Sequence, residues 1–213
     1  MTGAAPALRS LALGDSYTIG EGVSAEDRWT HQLAARLRGA GIPLADPDTI
    51  AATGWTTDEL EAAIDARKPD GGHDFVTLLI GVNNQYRGRG VDEYAAQFEA
   101  LLARAIGFAG GRAMRVLVLS IPDWGATGFG RGSGRDPAQV SAQIDAFNAA
   151  ARAICTRRGV AFVDVTPLSR ERGGEDAMLA ADGLHPSAAM YALWAALAMP
   201  AARRCLAAAR DTP

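Results

Sequence analysis

Hydrophobic and polar positions along the chain follow two alternating rhythms. Short, nearly unbroken apolar runs occupy Leu8 to Leu13, Phe75 to Ile80, Val116 to Ile121 and Val160 to Val165, with a weaker run from Thr49 to Thr53. Continuous runs of this length suit strands buried on both faces. Between them, apolar residues recur three or four positions apart: Trp29, Leu33 and Leu37; Tyr94, Phe98, Leu101 and Ala105; Val140, Ile144, Phe147, Ala151 and Ile154. That spacing predicts helices with one buried stripe. Five strands alternating with helices make βαβ units, hence an α/β fold with a parallel sheet covered on both sides.

Boundary residues sharpen the pattern. Ser24 with Asp27 three residues on resembles a capping box ahead of the first helix, and Thr56-Thr57-Asp58-Glu59 opens a second running to about Arg67. Asp136-Pro137 reads as an N-cap followed by a proline in the first turn, and Gly159 as that helix's end. Pro122 to Arg135 has no periodicity and reads as a long loop. A polar, glycine-bearing loop leads from the fifth strand to Asp182, and the last, alanine-rich helix is expected to be interrupted at Pro200. No repeat or linker divides residues 1–213, so one domain is expected.

Composition narrows the classes. At 213 residues, 48% hydrophobic and 21% charged, the chain can bury a full-sized core. A net charge of −3 with interspersed signs carries no footprint for nucleic acid. The longest apolar stretch, Ala188 to Met199, is too short to span a bilayer, which takes about 20 residues. Met1 to Pro6 has neither a basic n-region nor an apolar h-region, so a soluble cytoplasmic protein is expected. Cys155 and Cys205 lack metal or C-x-x-C spacing and read as buried free thiols.

Chemistry collects where the strands end. In a parallel sheet every segment that follows a strand lies along one edge, the edge where such sheets place ligands. Gly14-Asp15-Ser16 follows the first strand, Gly54 the second, and Gly81-Val82-Asn83-Asn84 the third. Asp182-Gly183-Leu184-His185-Pro186 comes after the fifth. A serine hydroxyl needs a base to act as nucleophile, and the imidazole of His185 is the type of group that takes and returns a proton near neutral pH. Asp182, three residues earlier, can fix its tautomer through Nδ1. Asn83 can offer a side-chain N–H, and Ser16 and Gly54 backbone N–H groups, to a developing oxyanion. Each motif also has a plainer reading. Asp182 can simply cap a turn before the last helix, Gly54 and Gly81 can terminate strands, and Asn83 can bond its own turn. Two ligands without a third do not define a zinc site. His31 lies off its helix's apolar face, and His73 precedes a strand, on the opposite edge. Tyr86, Trp124 and Phe129 are candidates to line a substrate pocket. Arg87 and Arg89 are candidates for an anionic substrate or are solvated surface charges.

Taken together and in order, Gly14-Asp15-Ser16-Tyr17, Gly54, Gly81-Val82-Asn83-Asn84 and Asp182-x-x-His185 resemble the SGNH (GDSL-like) hydrolase family across almost the whole chain. The resemblance implies a flavodoxin-like three-layer α/β/α sandwich with a five-stranded parallel sheet. It implies catalysis by Ser16, Asp182 and His185, an oxyanion hole from Ser16, Gly54 and Asn83, no metal or organic cofactor, and cleavage of carboxylic esters or thioesters, including lipids and acetylated sugars. Two residues depart from the family pattern: Tyr17 replaces the usual leucine and Asn84 the usual aspartate. The second substitution removes a charge near the site, while its carbonyl can still accept a hydrogen bond. The reading that follows is a serine esterase for small or short-chain esters, working through an acyl-enzyme. The alternatives are acyl transfer to a sugar or alcohol, and a non-catalytic small-molecule-binding relative, against which the first loop shows no G-x-G-x-x-G pattern.

Overall fold

A computed structural model describes residues 6–207. Residues 1–5 and 208–213 lie outside them, and with them most of the N-terminal stretch read above for a leader. Five parallel strands, β1 (Ser10–Gly14), β2 (Asp48–Ala51), β3 (Phe75–Leu79), β4 (Val116–Leu119) and β5 (Ala161–Val163), form one sheet in the order β2-β1-β3-β4-β5. In chain order the helices are α1 (Ser16–Ile19), α2 (Trp29–Gly39), α3 (Thr57–Arg67), α4 (Val82–Tyr86), α5 (Val91–Phe108), α6 (Gly128–Gly132), α7 (Pro137–Arg158), α8 (Thr166–Arg172) and α9 (Ala188–Ala207). Helices α2 and α9 pack together in one layer, and α3, α5 and α7 in another, giving the three-layer sandwich.

The central strands are buried along their length because both faces are covered, and apart from Ser10 and Thr77 their side chains are apolar. Leu11, Leu13, Val76, Leu78 and Val118 are completely buried or nearly so. From β1 the chain crosses to β2 on one side and later returns to β3 on the other. The crevice between the ends of β1 and β3 is therefore the topological switch point, where open parallel sheets bind ligands. Gly14 lets this crevice form: a Cβ there would stand 2.2 Å from Thr18 Oγ1 and 2.4 Å from the Leu79 carbonyl. The chain turns straight from β1 into α1 against the end of β3.

Helix boundaries follow the expected residues in three places. Thr56 and Glu59 form a capping box at α3. Asp136 accepts from the Ala138 amide at 3.0 Å ahead of Pro137. Gly159, at φ +67°, ends α7. Both cysteines are buried and free.

Elsewhere the structure corrects the reading. Ser24 gives its hydroxyl to the Asp27 carboxylate (2.8 Å) and caps no amide, so no capping box forms; a short 3₁₀ turn precedes α2. The segment from Pro122 to Arg135 is not an open loop. It holds a 3₁₀ turn at Trp124–Ala126 and the short helix α6, initiated by Asp123 and Thr127 side-chain caps that no apolar period announces. The loop after β5 contains α8. Pro200 does not interrupt α9, which runs on to Ala207. Pro200 and Ala196, whose carbonyl loses its partner, are both exposed, so water can satisfy the orphaned group. Among the described residues no helix is long and apolar enough to cross a membrane.

Candidate active site

Segments after β1, β2 and β3 and the loop before α9 meet in one pocket of about 220 Å³. Its walls include Ser16, Gly54, Asn83 and His185. Asp182 stands just behind, and topology thus unites residues spread over most of the sequence.

Ser16 is the first residue of α1. Asp15 caps this helix, its Oδ1 accepting from the Tyr17 amide at 3.0 Å. Among the described residues the Ser16 hydroxyl makes no hydrogen bond within the protein, and the amides of Ser16 and Gly54 donate to none. Gly54 adopts φ +86°, a backbone conformation that favours glycine, and its carbonyl is held by Arg87 Nη2 at 2.7 Å. Asn83 does not bond its own turn. Its Nδ2 donates to the Trp55 carbonyl at 2.9 Å, which fixes the carboxamide and leaves a second N–H free. The neighbouring Asn84 is fully buried and ties the loop to α3: its Oδ1 accepts from the Thr57 amide at 3.1 Å, and its Nδ2 donates to Thr57 Oγ1 at 2.7 Å. The carbonyl does accept the bond expected of it in the absence of a charge.

Asp182 makes the turn contacts and the imidazole contact at once. Asp182 Oδ1 caps the turn by accepting from the amides of Leu184 and His185, each at 2.9 Å. Its Oδ2 takes the bond to His185 Nδ1 at 2.6 Å. Partial burial pushes this carboxyl up, but the bonds from the imidazole and the two amides outweigh it and hold its pKa below the ordinary carboxylate value. The His185 backbone is fixed in turn: its carbonyl accepts from the Ala180 amide at 2.7 Å, and Ser187 N donates to the Met178 carbonyl at 2.9 Å. With Nδ1 bonded to the carboxylate, Nε2 remains for a reacting proton.

Trp124, Phe129 and Tyr86 line the pocket as expected. Trp124 is locked by its indole N–H to Gln85 Oε1 at 2.8 Å, and the Phe129 amide ties α6 to the histidine loop through the Gly183 carbonyl at 3.0 Å. Arg87 departs from the expectation of a substrate contact. It lines a separate, adjoining cleft, and its guanidinium is spent on Gly54 and on Glu59 at 3.1 Å. Arg89 is likewise paired, with Asp58 at 2.6 Å. Thr53, Val82 and Leu184 join the pocket wall without having been singled out. Their adjacency to Gly54, Asn83 and His185 was the available signal. His73 is buried near the amino-terminal end of β3, away from this edge.

Asp15 adds a buried charge problem next to Ser16. It is fully buried, its Oδ2 has no hydrogen-bond partner within the protein, and burial pushes its pKa up to about 7 against the backbone bonds that favour the ionised form. The folded value lies above the ordinary 3.8, so the fold favours the neutral acid. That contribution is complete below the unfolded-state pKa and is lost as pH rises through about 7. Asp15→Asn, which keeps an oxygen for the Tyr17 amide, is therefore expected to gain stability relative to the parent as pH rises from 3.8 to about 7, and to hold that gain above it. Urea unfolding across that range checks it; a stability difference that does not move with pH contradicts it.

Fold and site together define a class, the three-layer α/β/α hydrolases with a serine at the end of the first strand. Within that class the chain belongs to the GDSL-like Lipase/Acylhydrolase family, whose sequence model matches residues 12–193, and is a hydrolase acting on ester bonds. A comparison with curated proteins gives no significant match. Among solved structures, TesA is 21% identical with a TM-score of 0.73, covering 93% of this chain and 99% of that one. The psychrotrophic esterase EstA from Pseudoalteromonas sp. is 18% identical, with a TM-score of 0.67 over 93% and 98% of the two chains. Axe2, an acetylxylan esterase from Geobacillus stearothermophilus, is 20% identical, with a TM-score of 0.66 over 92% and 94%. At these identities the likeness is one of fold.

Proposed function

We propose that the chain is a serine esterase for small or short-chain carboxylic esters. The observation that supports this best is that Ser16, Gly54, Asn83 and His185, delivered from four separate segments, line one pocket. In this reading Ser16 Oγ attacks the ester carbonyl while His185 Nε2 takes its proton. Asp182 holds the imidazole in the required tautomer and stabilises the imidazolium. The oxyanion of the tetrahedral intermediate is met by the amides of Ser16 and Gly54 and the second N–H of Asn83. Collapse of the intermediate expels the alcohol, which takes the proton from His185, and leaves an acyl-enzyme. Water, deprotonated by the same imidazole, then releases the acid and restores Ser16.

Turnover of nitrophenyl esters from acetate to palmitate, with Ser16→Ala as the blank, tests the reading. The expected profile falls beyond the short acyl chains; a steady rise of kcat/KM to the longest chain would overturn the short-chain assignment. Asn83→Ala removes one oxyanion donor. It is expected to lower kcat about 10²–10³-fold with little change in KM. An unchanged kcat would remove Asn83 from the oxyanion hole.

A further inference from the structure

A second, inner cavity of about 20 Å³ lies behind the active-site pocket. Its lining is mostly apolar, with Pro122, Leu179, Pro186, Met190 and Trp194. The side chains of Asp123, Thr127 and Ser169 that border it are spent elsewhere. Asp123 accepts from the Gly125 amide at 2.9 Å and from Arg170 Nε at 2.8 Å, while Thr127 Oγ1 donates to the Trp124 carbonyl at 2.7 Å. Ser169 Oγ accepts from the Asp123 amide at 2.8 Å and donates to the Thr166 carbonyl at 2.7 Å. A space of this size holds about one water, which would need two to four polar partners. Of the polar side-chain groups at its wall, the indole N–H of Trp194 and the hydroxyl of Tyr17 lack a partner among the described residues. Without the Tyr17 side chain a single donor is left, and the space then suits hydrocarbon better than water.

Three residues, Tyr17, Trp124 and Leu184, border both spaces. Trp124 is pinned by Gln85. The Tyr17 ring lies between the two sides: its centroid is 5.7 Å from the His185 ring in the outer pocket and 6.0 Å from Trp194 in the inner cavity. It is only 3% exposed. A smaller side chain at this position would merge the pocket, the space of the ring and the cavity into one apolar channel that starts beside Ser16.

We propose that Tyr17 is a specificity-determining residue, the partition that closes the inner apolar cavity to the acyl group and so limits the acyl length accepted. This rests on the esterase reading above. In wild type, an acyl chain reaching past the outer pocket meets the phenol ring. With the ring removed, added methylenes find apolar walls, and each methylene placed in such a pocket is worth about tenfold or more in kcat/KM.

The test is the ratio of kcat/KM for nitrophenyl octanoate to that for nitrophenyl acetate, with a constant leaving group. Wild type, Tyr17→Leu, Tyr17→Ala, Met190→Ala and the double variant Tyr17→Ala with Met190→Phe are compared. The ratio is expected to rise at least about tenfold in Tyr17→Ala and by less in Tyr17→Leu. Refilling the cavity from behind with Met190→Phe should reverse the gain. Met190→Ala, which enlarges the cavity behind an intact ring, should leave the wild-type ratio. A ratio unchanged in both Tyr17 variants overturns the proposal, as does a rise in Met190→Ala alone. If Tyr17→Ala does not fold, the milder Tyr17→Leu decides alone. Loss of acetate turnover in Ser16→Ala is scored separately, so failure of the esterase reading shows there and not in the ratio.

Discussion

Ser16→Ala is expected to lower kcat by about five to six orders of magnitude while the protein stays folded. The size follows from the division of labour. Without the hydroxyl there is no acyl-enzyme, and what remains is ground-state binding plus the oxyanion donors, which alone leave a small residue of catalysis. The fold should not notice the change, because the Ser16 hydroxyl makes no hydrogen bond within the protein among the described residues and α1 is capped by Asp15 instead. Steady-state kinetics beside a thermal unfolding curve separate the two effects. Turnover above about a tenth of wild type would show that the hydroxyl is not the nucleophile.

Asp182→Asn should be nearly as severe, lowering kcat about 10⁴-fold with stability preserved. The two carboxylate oxygens have different tasks. Oδ1 receives two amide donors at 2.9 Å, and only a carbonyl oxygen can replace it. The asparagine is thereby forced to turn its NH₂ towards His185 Nδ1, where Oδ2 now sits at 2.6 Å. An NH₂ there donates, so the imidazole proton is driven to Nε2 and the base is lost. Asp182→Ala, by contrast, also loses the turn cap, and is expected to cost about 1 kcal/mol of stability as well. A kcat within tenfold of wild type for Asp182→Asn would show that the carboxylate does not set the tautomer.

The sheet was legible because its three central strands are buried on both faces. Runs such as Phe75 to Ile80 have only one reading at that length, and their ends put Ser16, Gly54 and Asn83 on one edge before any contact was known. His185 and Asp182 followed from spacing. What stayed hidden was decided by tertiary partners. Nothing in Val82 to Tyr86 or Gly128 to Gly132 has an apolar period: the second is started by the Thr127 cap, and the first, which has no side-chain cap, is held by the tertiary partners of Asn83, Asn84 and Gln85. The Ser24 box fails because Asp27 competes for the hydroxyl. Arg87 looked free in sequence and is occupied in space, its partners Gly54 and Glu59 lying 28 to 33 residues away. Tyr17 showed only as a substitution in a motif; its place between two cavities needed coordinates.

The most direct test of the central claim is to trap the nucleophile. After exposure to an alkyl fluorophosphonate, intact-protein mass spectrometry is expected to show one adduct, the peptide carrying it should contain Ser16, and esterase activity should fall in step with labelling. His185→Ala should label far more slowly. An adduct on another residue, or full ester hydrolysis by protein that takes up no label, would contradict the account.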